Sequence, residues 1–414
     1  MQIRGSRVAL IGGSIAGLAA AIALERAGCQ VTVYERSRGE LRSRGFGIGT
    51  PIPMRDELRQ RGYLPSDYTS VVRTCRWWVV ADGTPTGRLL WKQPAAAASN
   101  NWGVLWRSLR GALGEVDYRD GVSVSAFANT GVHFTLSSSD GRTDSCDVLV
   151  GADGYRSIVR AQLHPLSSPK YAGYVAWRGT YPEARVENRA LIERMDAEQA
   201  WTTVVFAKGH GGIHLVPDFD NNLEPGRRRI NWLIYSPPPP GTDFSDPTSL
   251  PPGEVNAALH AHLMRLLDDY FPPEVAEIIR GSTPEEILVQ PIYDEVIPSY
   301  GGQRLLLTGD AGSITRPHTA SGATKALADA LALERLATER DTWDEVIPEY
   351  STDRATAAQA IVELGRRIGE GQVTACPDWS AMAAGDAEAW AKHMMGNQPL
   401  YIYRHLDTES RAAT

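Results

Sequence analysis

Nothing in these 414 residues is concentrated where a metal site, a disulfide framework or a membrane anchor would need it. The four cysteines (Cys29, Cys75, Cys146 and Cys376) are scattered without paired spacing, which implies neither a zinc site nor a set of disulfides and fits a reducing cytoplasm. Positive charge is short as well. Forty-two Lys and Arg against 49 Asp and Glu leave a net charge of −7, which argues against nucleic acid as a partner. Long apolar runs are missing too. Val8 to Leu24, behind Arg4 and Arg7, superficially resembles a secretory signal, but Gly12-Gly13-Ser14 and Gly17 interrupt it. It also runs into Glu25-Arg26 without a cleavage-like site, and no other stretch suits a membrane span. There is no internal repeat. The expectation is a soluble cytoplasmic protein of two or three domains, with no metal, membrane or nucleic acid.

Three strand-to-glycine junctions punctuate the chain. Val8 to Ile11 reads as a buried strand, followed by Gly12-Gly13-Ser14-Ile15-Ala16-Gly17, an alanine-rich helix capped by Gly28, and a second strand from Gln30 closed by Glu35. This βαβ opening carries a dinucleotide fingerprint, in which glycines allow a tight turn and let a phosphate approach the helix N-terminus. Ser14 occupies the second glycine position, where a β-carbon crowds the pyrophosphate while a hydroxyl can donate to it. The alternative is a plain α/β unit. The arginines that follow (Arg36, Arg38, Arg42 and Arg44) suit either a solvated surface or a phosphate-bearing ligand. The second junction, CDVLVGADGYRSIVR, again ends an apolar strand in a carboxylate and glycine, Asp153-Gly154. The third ends Leu305-Leu306-Leu307 at Gly309-Asp310, passes through a loop to Gly322, and enters a helix with Ala326, Leu327, Ala330 and Leu331 on one stripe.

Between the second and third junctions the composition changes. Strand patterns recur there at Tyr174–Tyr181, Trp201–Ala207, Ile213–Val216 and Ile230–Tyr235, and ahead of the second junction two more flank Asp82-Gly83 and a low-complexity loop is expected at Ala95–Asn101. Eight of the eleven tryptophans fall between Trp77 and Trp232, so these strands offer core packing and, for a minority of rings, the wall of a pocket for a planar ligand. His214 and Tyr174 can face such a pocket or the sheet's far side, since a strand alternates its faces. His318 follows Pro317 in the third junction and is a candidate base or hydrogen-bond acceptor, titrating near the ordinary imidazole pKa of about 6.5. The competing role is to cap its own loop.

GGSIAG with Glu35, DVLVGADG, and LLLTGDAGSITRP followed by Ser321-Gly322 occur in the order and spacing of the single-component FAD-dependent aromatic hydroxylases, the para-hydroxybenzoate hydroxylase-like family. The resemblance spans about Val8 to Leu336. Tyr171–Gly179 and Arg316–Ala330 resemble most the branch that hydroxylates dihydroxypyridines. It implies an α/β fold: a Rossmann-like FAD-binding domain of glutathione-reductase type (residues 1–73, 100–170 and 286–340), an inserted antiparallel substrate-binding sheet (74–99 and 171–285) and a C-terminal helical segment (341–414). It implies that Gly12, Ser14, Ile15 and Gly17 hold the FAD pyrophosphate, and that Glu35 holds the ribose, with Arg36, Arg44 and Val122 nearby. Arg107 would reach the flavin side chain or phosphate, Asp153 would belong to the junction that serves FAD and also affects nicotinamide binding, and Gly309 and Asp310 would meet the pyrophosphate and ribityl region. Pro317, Gly322 and Ala323 would pass beside the isoalloxazine, where the family's Gly-Gln-Gly is Ala320-Ser321-Gly322 here and its Asn is Thr324. His318, His214 and Tyr174 are the expected catalytic residues. The implied chemistry is NADH- or NADPH-driven hydroxylation of a small aromatic or N-heteroaromatic ring by O2, through a flavin hydroperoxide. A homodimer is an expected assembly. The rivals are a non-oxygenating FAD reductase or dehydrogenase and a ligand-binding protein with structural FAD. The Trp-x-Trp-x-Ile signature of flavin halogenases is absent.

Overall fold

A computed structural model describes residues 1–39, 46–244, 249–383, 385–396, 400 and 402. Two sheets organise it. The first has six strands in the order Gly301–Gly302, Leu305–Leu307, Val148–Gly151, Arg7–Ile11, Gln30–Glu35 and Asp117–Asp120, all parallel except the first pair. Its central strands are largely apolar because both faces are covered, by helices and by a small second layer of strands, so neither side needs polar residues. Ile11 pairs with Gly151 and Gly151 with Leu307, so the three junctions foreseen in the sequence end side by side at one edge.

Close packing there depends on glycine. A β-carbon on Gly17 would lie 1.9 Å from the Gly12 carbonyl oxygen, and one on Gly12 (φ +104°) 2.3 Å from that of Ala152. The helix Ile15–Arg26 can therefore sit down on the strand ends, with Ile15, Ala16, Ala19 and Ile22 packed near Ala326, Leu327 and Ala330 of the helix Gly322–Glu339.

The second sheet has eight strands in the order Ile287–Asp294, Lys170–Pro182, Arg229–Ser236, Gly209–Val216, Ala200–Phe206, Val71–Val80, Arg88–Asn101 and Gly47–Thr50. It is antiparallel except where Ala200–Phe206 runs parallel to Val71–Val80. Gly47–Thr50 and Ile287–Asp294 join it from outside the ranges foreseen for the inserted sheet. Ala95–Asn101 is strand, not loop. Its small side chains let it lie buried between Val71–Arg73 and Gly47–Thr50.

Alternation divides this sheet's faces. Val175, Trp177, Ile213, Leu215, Ile230, Trp232 and Ile234 face a core shared with the helices Ala190–Ala197, Ala257–Tyr270 and Pro273–Arg280. The register puts Tyr174 and Arg178, His210 and His214, Leu233 and Tyr235, and Arg76 on the other face. A three-stranded antiparallel sheet (Val124–Asn129, Phe134–Ser138, Thr143–Cys146) packs against the first.

The helix Trp343–Gly369 accommodates Pro348 and continues into a π-turn at Glu370–Thr374. Beyond it, Trp379 and Trp390 lie 5.9 and 5.4 Å from Trp78, and Gln93 donates to the carbonyl of Ile402 at 2.8 Å. The C-terminal segment thus covers one end of the second sheet. Among the described residues no helix is long and apolar enough to cross a membrane.

Candidate active site

A cavity of about 510 Å³ lies between the two sheets, within the roughly 300–1,000 Å³ usual for ligand sites. On one side it is lined by Ser14, Ile15 and Ala16, by Gly309 and Asp310, and by Pro317, Gly322 and Ala323. Two helix N-termini open there. Neither Ser14 nor Ser321 caps its helix with a side-chain bond, and neither helix has an acid in its first turn. Uncapped N–H groups and the positive end of the helix dipole are suited to a phosphate and to an electron-rich ring edge.

Asp310 is ringed by protein yet exposed, because its side chain faces the cavity. Burial pushes its carboxyl up, while Lys325 and Arg160 pull it back. The backbone beneath it is fixed: buried Lys325 donates to the Gly309 carbonyl at 2.6 Å and Asp329 accepts from the Gly309 N–H at 2.9 Å. The absence of acids at both helix starts, with one accessible carboxylate between them, fits the phosphates, ribityl chain and pyrimidine edge of FAD.

The other expected cofactor residues divide. Gly12 and Gly17 shape the turn rather than line the cavity. Glu35 accepts from the N–H groups of Gly13 and Ser37, both at 2.8 Å, which leaves each oxygen a lone pair for a sugar hydroxyl. The Val122 N–H donates to the Glu35 carbonyl, and Arg36 is exposed. Asp153 is half-buried and accepts from the Ile158 N–H, with its other oxygen buried and unpartnered. Arg107 donates to the carbonyl of Phe219 and is not in the cavity wall, while its Nε is buried without a partner. Arg42 and Arg44 lie outside the described residues.

The second sheet supplies the opposite lining. His318 and His214 line the cavity, and Tyr174 stands directly behind His318, its phenol oxygen 2.6 Å from Nε2. Burial first, then Arg316 and Arg76, lowers the His318 pKa to about 3, and burial with Arg73 and Arg178 lowers His214 to about 4. Burial raises the Tyr174 phenol, so it stays protonated. The expectation that His318 titrates near 6.5 is therefore corrected, because desolvation and two guanidinium groups oppose a further positive charge. Its Nδ1 is buried and unpartnered.

Arg76, Arg178, His210, Tyr235 and Gln372 also line this side and went unrecognised or underrated in the sequence. Arg178 was legible, since it lies four residues from Tyr174 and so on the same strand face. Gln372 was not, because a π-turn rather than a sequence pattern aims it at the cavity.

Residues 171–294 match the family model described as FAD binding domain-like. A chain that joins such a match to this cavity is an FAD-dependent monooxygenase of the aromatic hydroxylase class, one that consumes NAD(P)H and O2. It is similar to 2,6-dihydroxypyridine 3-monooxygenase of Paenarthrobacter nicotinovorans, at 29% identity over 87% of this chain and 90% of that protein. The solved 2,6-dihydroxypyridine-3-hydroxylase of Arthrobacter nicotinovorans superposes with a TM-score of 0.78 at 25% identity, covering 92% of this chain and 96% of the other. Klebsiella pneumoniae HpxO, solved with FAD and uric acid, shares the fold at a TM-score of 0.73 and 21% identity, over 94% and 92% of the two chains.

Proposed function

We propose that the ring hydroxylated is a small hydroxypyridine- or phenol-like compound, bound against His318 on the second sheet while FAD occupies the strand-end side. The observation that carries this reading is the segregation of one cavity into two linings. One offers backbone N–H groups and a carboxylate, and the other neutral histidines, tyrosines and arginines. Ser14, Ile15, Gly309 and Asp310 would hold the phosphate and ribityl region, with Gly322 and Ala323 toward the ring edge. When bound, FAD takes reducing equivalents from NAD(P)H and activates O2, so that one oxygen atom reaches the substrate ring.

The chain's own part is binding, orientation and dryness. The orphaned Nδ1 of His318 is the atom on offer to a substrate hydroxyl, and Tyr174 fixes the imidazole through Nε2. At a pKa of about 3 the ring is a weak base, so its role in the free protein is to hydrogen-bond and orient rather than to store a proton. Ile402 lies in the cavity wall, in one apolar cluster with Trp379 and Trp390, and excluding water suppresses wasteful reaction. Small molecules are its partners and the cytoplasm its place. The net charge of −7 disfavours nucleic acid.

The test is to supply 2,6-dihydroxypyridine and simple phenols to the FAD-loaded protein. At least one should accelerate NAD(P)H oxidation and leave with one added oxygen atom by mass. Oxidation that ignores every ring would favour a reductase, and no oxidation a structural flavin. Light scattering on the same sample distinguishes a monomer from the expected homodimer.

A further inference from the structure

We infer that Arg178 anchors an anionic oxygen of the substrate, a ring carboxylate or an ionised ring hydroxyl, an inference that rests on the hydroxylase reading above. Arg178 projects from the strand Lys170–Pro182 on the same face as Tyr174 and lines the cavity. Its guanidinium lies 4.8 Å from the centre of the Phe46 ring and reaches Gln290 only at the limiting distance of 3.5 Å.

Four other deep arginines of this chain face carboxylates. Arg73 meets Asp196 at 3.1 Å, Arg160 meets Glu295 at 3.2 Å, Arg228 meets Glu183 at 2.8 Å, and Arg316 meets Asp294 at 2.6 Å. Arg178 has no such partner among the described residues. The one ionisable group that favours its charge is the Tyr235 phenol, and burial lowers its pKa. Among the described residues the cavity lining holds a single carboxylate, Asp310, and that belongs to the strand-end side.

A desolvated guanidinium without a counter-charge is costly, and charges in protein interiors are normally paired. Here the missing charge is one a ligand can bring. The planar fork matches a carboxylate with two parallel hydrogen bonds, and it also accepts a single ring oxyanion. Because Arg178 belongs to the second sheet and not to the strand ends, the anion it awaits is that of the substrate rather than the cofactor's pyrophosphate. The neighbouring histidines agree with this. His214 and His318 remain neutral, so the arginines supply the positive charge of this wall across the physiological range.

The experiment uses FAD-loaded wild type, Arg178→Gln and Arg178→Lys, with binding read from the flavin absorbance change. One arm compares 6-hydroxynicotinate with its neutral amide, and the other compares 2,6-dihydroxypyridine with its dimethyl ether. Wild type should prefer the ionisable member of at least one pair, and which pair identifies the source of the anion. Arg178→Gln should reduce that preference roughly ten- to a hundredfold, as expected for a lost charge-assisted hydrogen bond, with the neutral member and the flavin content unchanged. Arg178→Lys should retain part of it. Equal binding of ionisable and neutral members, wild type blind to both ionisable probes, equal weakening of both members in Arg178→Gln, or release of flavin would each overturn the anchor. Should Arg178→Gln fail to fold, the wild-type preferences and Arg178→Lys still decide. Failure of the hydroxylase reading is separate: no ring, charged or neutral, would gain oxygen.

Discussion

The two sheets carry chemistry in opposite ways. In the parallel sheet the strands are buried on both faces and the site lies beyond their ends, built from backbone N–H groups, glycines and one carboxylate. In the second sheet the site is a face, built from side chains at alternate positions. A strand-end site tolerates side-chain substitution, which is why Ser14 and Ala320-Ser321 can replace family glycines and a glutamine. A face site depends on register, because a slip of one residue would turn Tyr174, Arg178 and His214 into the helix-packed core and bring Trp177 and Ile213 to the cavity.

The harshest way to break the first sheet's arrangement is Gly17→Val. The new side chain begins 1.9 Å from the Gly12 carbonyl oxygen and 3.4 Å from the Ala152 Cβ, with no flexible neighbour to yield. Overpacking usually costs about 1–3 kcal/mol, and a side chain driven into rigid backbone lies at or beyond the top of that range. Little folded, flavin-loaded protein should survive, as read from yellow colour and thermal unfolding. A stable, fully loaded variant would show that the helix need not sit on the strand end.

The next effect belongs to the second sheet. His318 and His214 have folded-state pKa values near 3 and 4, against about 6.5 when unfolded, and His210 is lowered in the same direction. Below 6.5 the unfolded chain therefore binds protons that the folded chain refuses, so stability falls as pH drops from about 6.5 toward 3. A tenfold difference in proton affinity between the two states corresponds to about 1.4 kcal/mol, so together these groups make an acid-sensitive face on the order of several kcal/mol. Thermal midpoints measured from pH 7.5 to 5 should decline, and His214→Asn should flatten the slope. An unchanged slope would mean that His214 titrates normally.

Much of the first sheet was legible because its signals are local: an apolar run and then glycine, three times over, with an acid close behind in the second and third. The second sheet's strands were legible as runs, but not which face of each meets the cavity, since pairing partners such as Gly212 with Leu233 are settled only by the fold. Ala95–Asn101 misled because low complexity is a loop signal, whereas here four alanines allow close strand packing. That the buried Lys325 and Asp329 fix Gly309 was not legible, because polar positions on a helix do not show which backbone group they reach.

A middle-sized test returns to the strand ends. Asp310→Ala removes the accessible carboxylate without touching Lys325 or Asp329. FAD affinity should fall roughly ten- to a hundredfold, the equivalent of about 1.5–3 kcal/mol, with the thermal midpoint of the flavin-free protein little changed. Unaltered affinity would remove Asp310 from the proposed cofactor contacts.

The smallest expected effect is the most discriminating for the second sheet. His318→Asn keeps a side chain able to hydrogen-bond but not to titrate. If His318 orients a substrate hydroxyl, turnover should fall about tenfold, near the 1.4 kcal/mol of one ordinary hydrogen bond, and a larger share of NAD(P)H should end as hydrogen peroxide. Tyr174→Phe should cost a similar amount, and the double variant little more, because the two rings form one hydrogen-bonded unit at 2.6 Å. The pH–rate profile separates orientation from proton transfer. A histidine with a pKa of about 3 contributes no acidic limb between pH 6 and 8, so the profile of His318→Asn should keep the wild-type shape at lower amplitude. A limb near pH 6.5 that disappears with the histidine would mean that the loaded site raises its pKa back to the ordinary value. His318 would then act as a base, and the second sheet would supply proton transfer as well as binding.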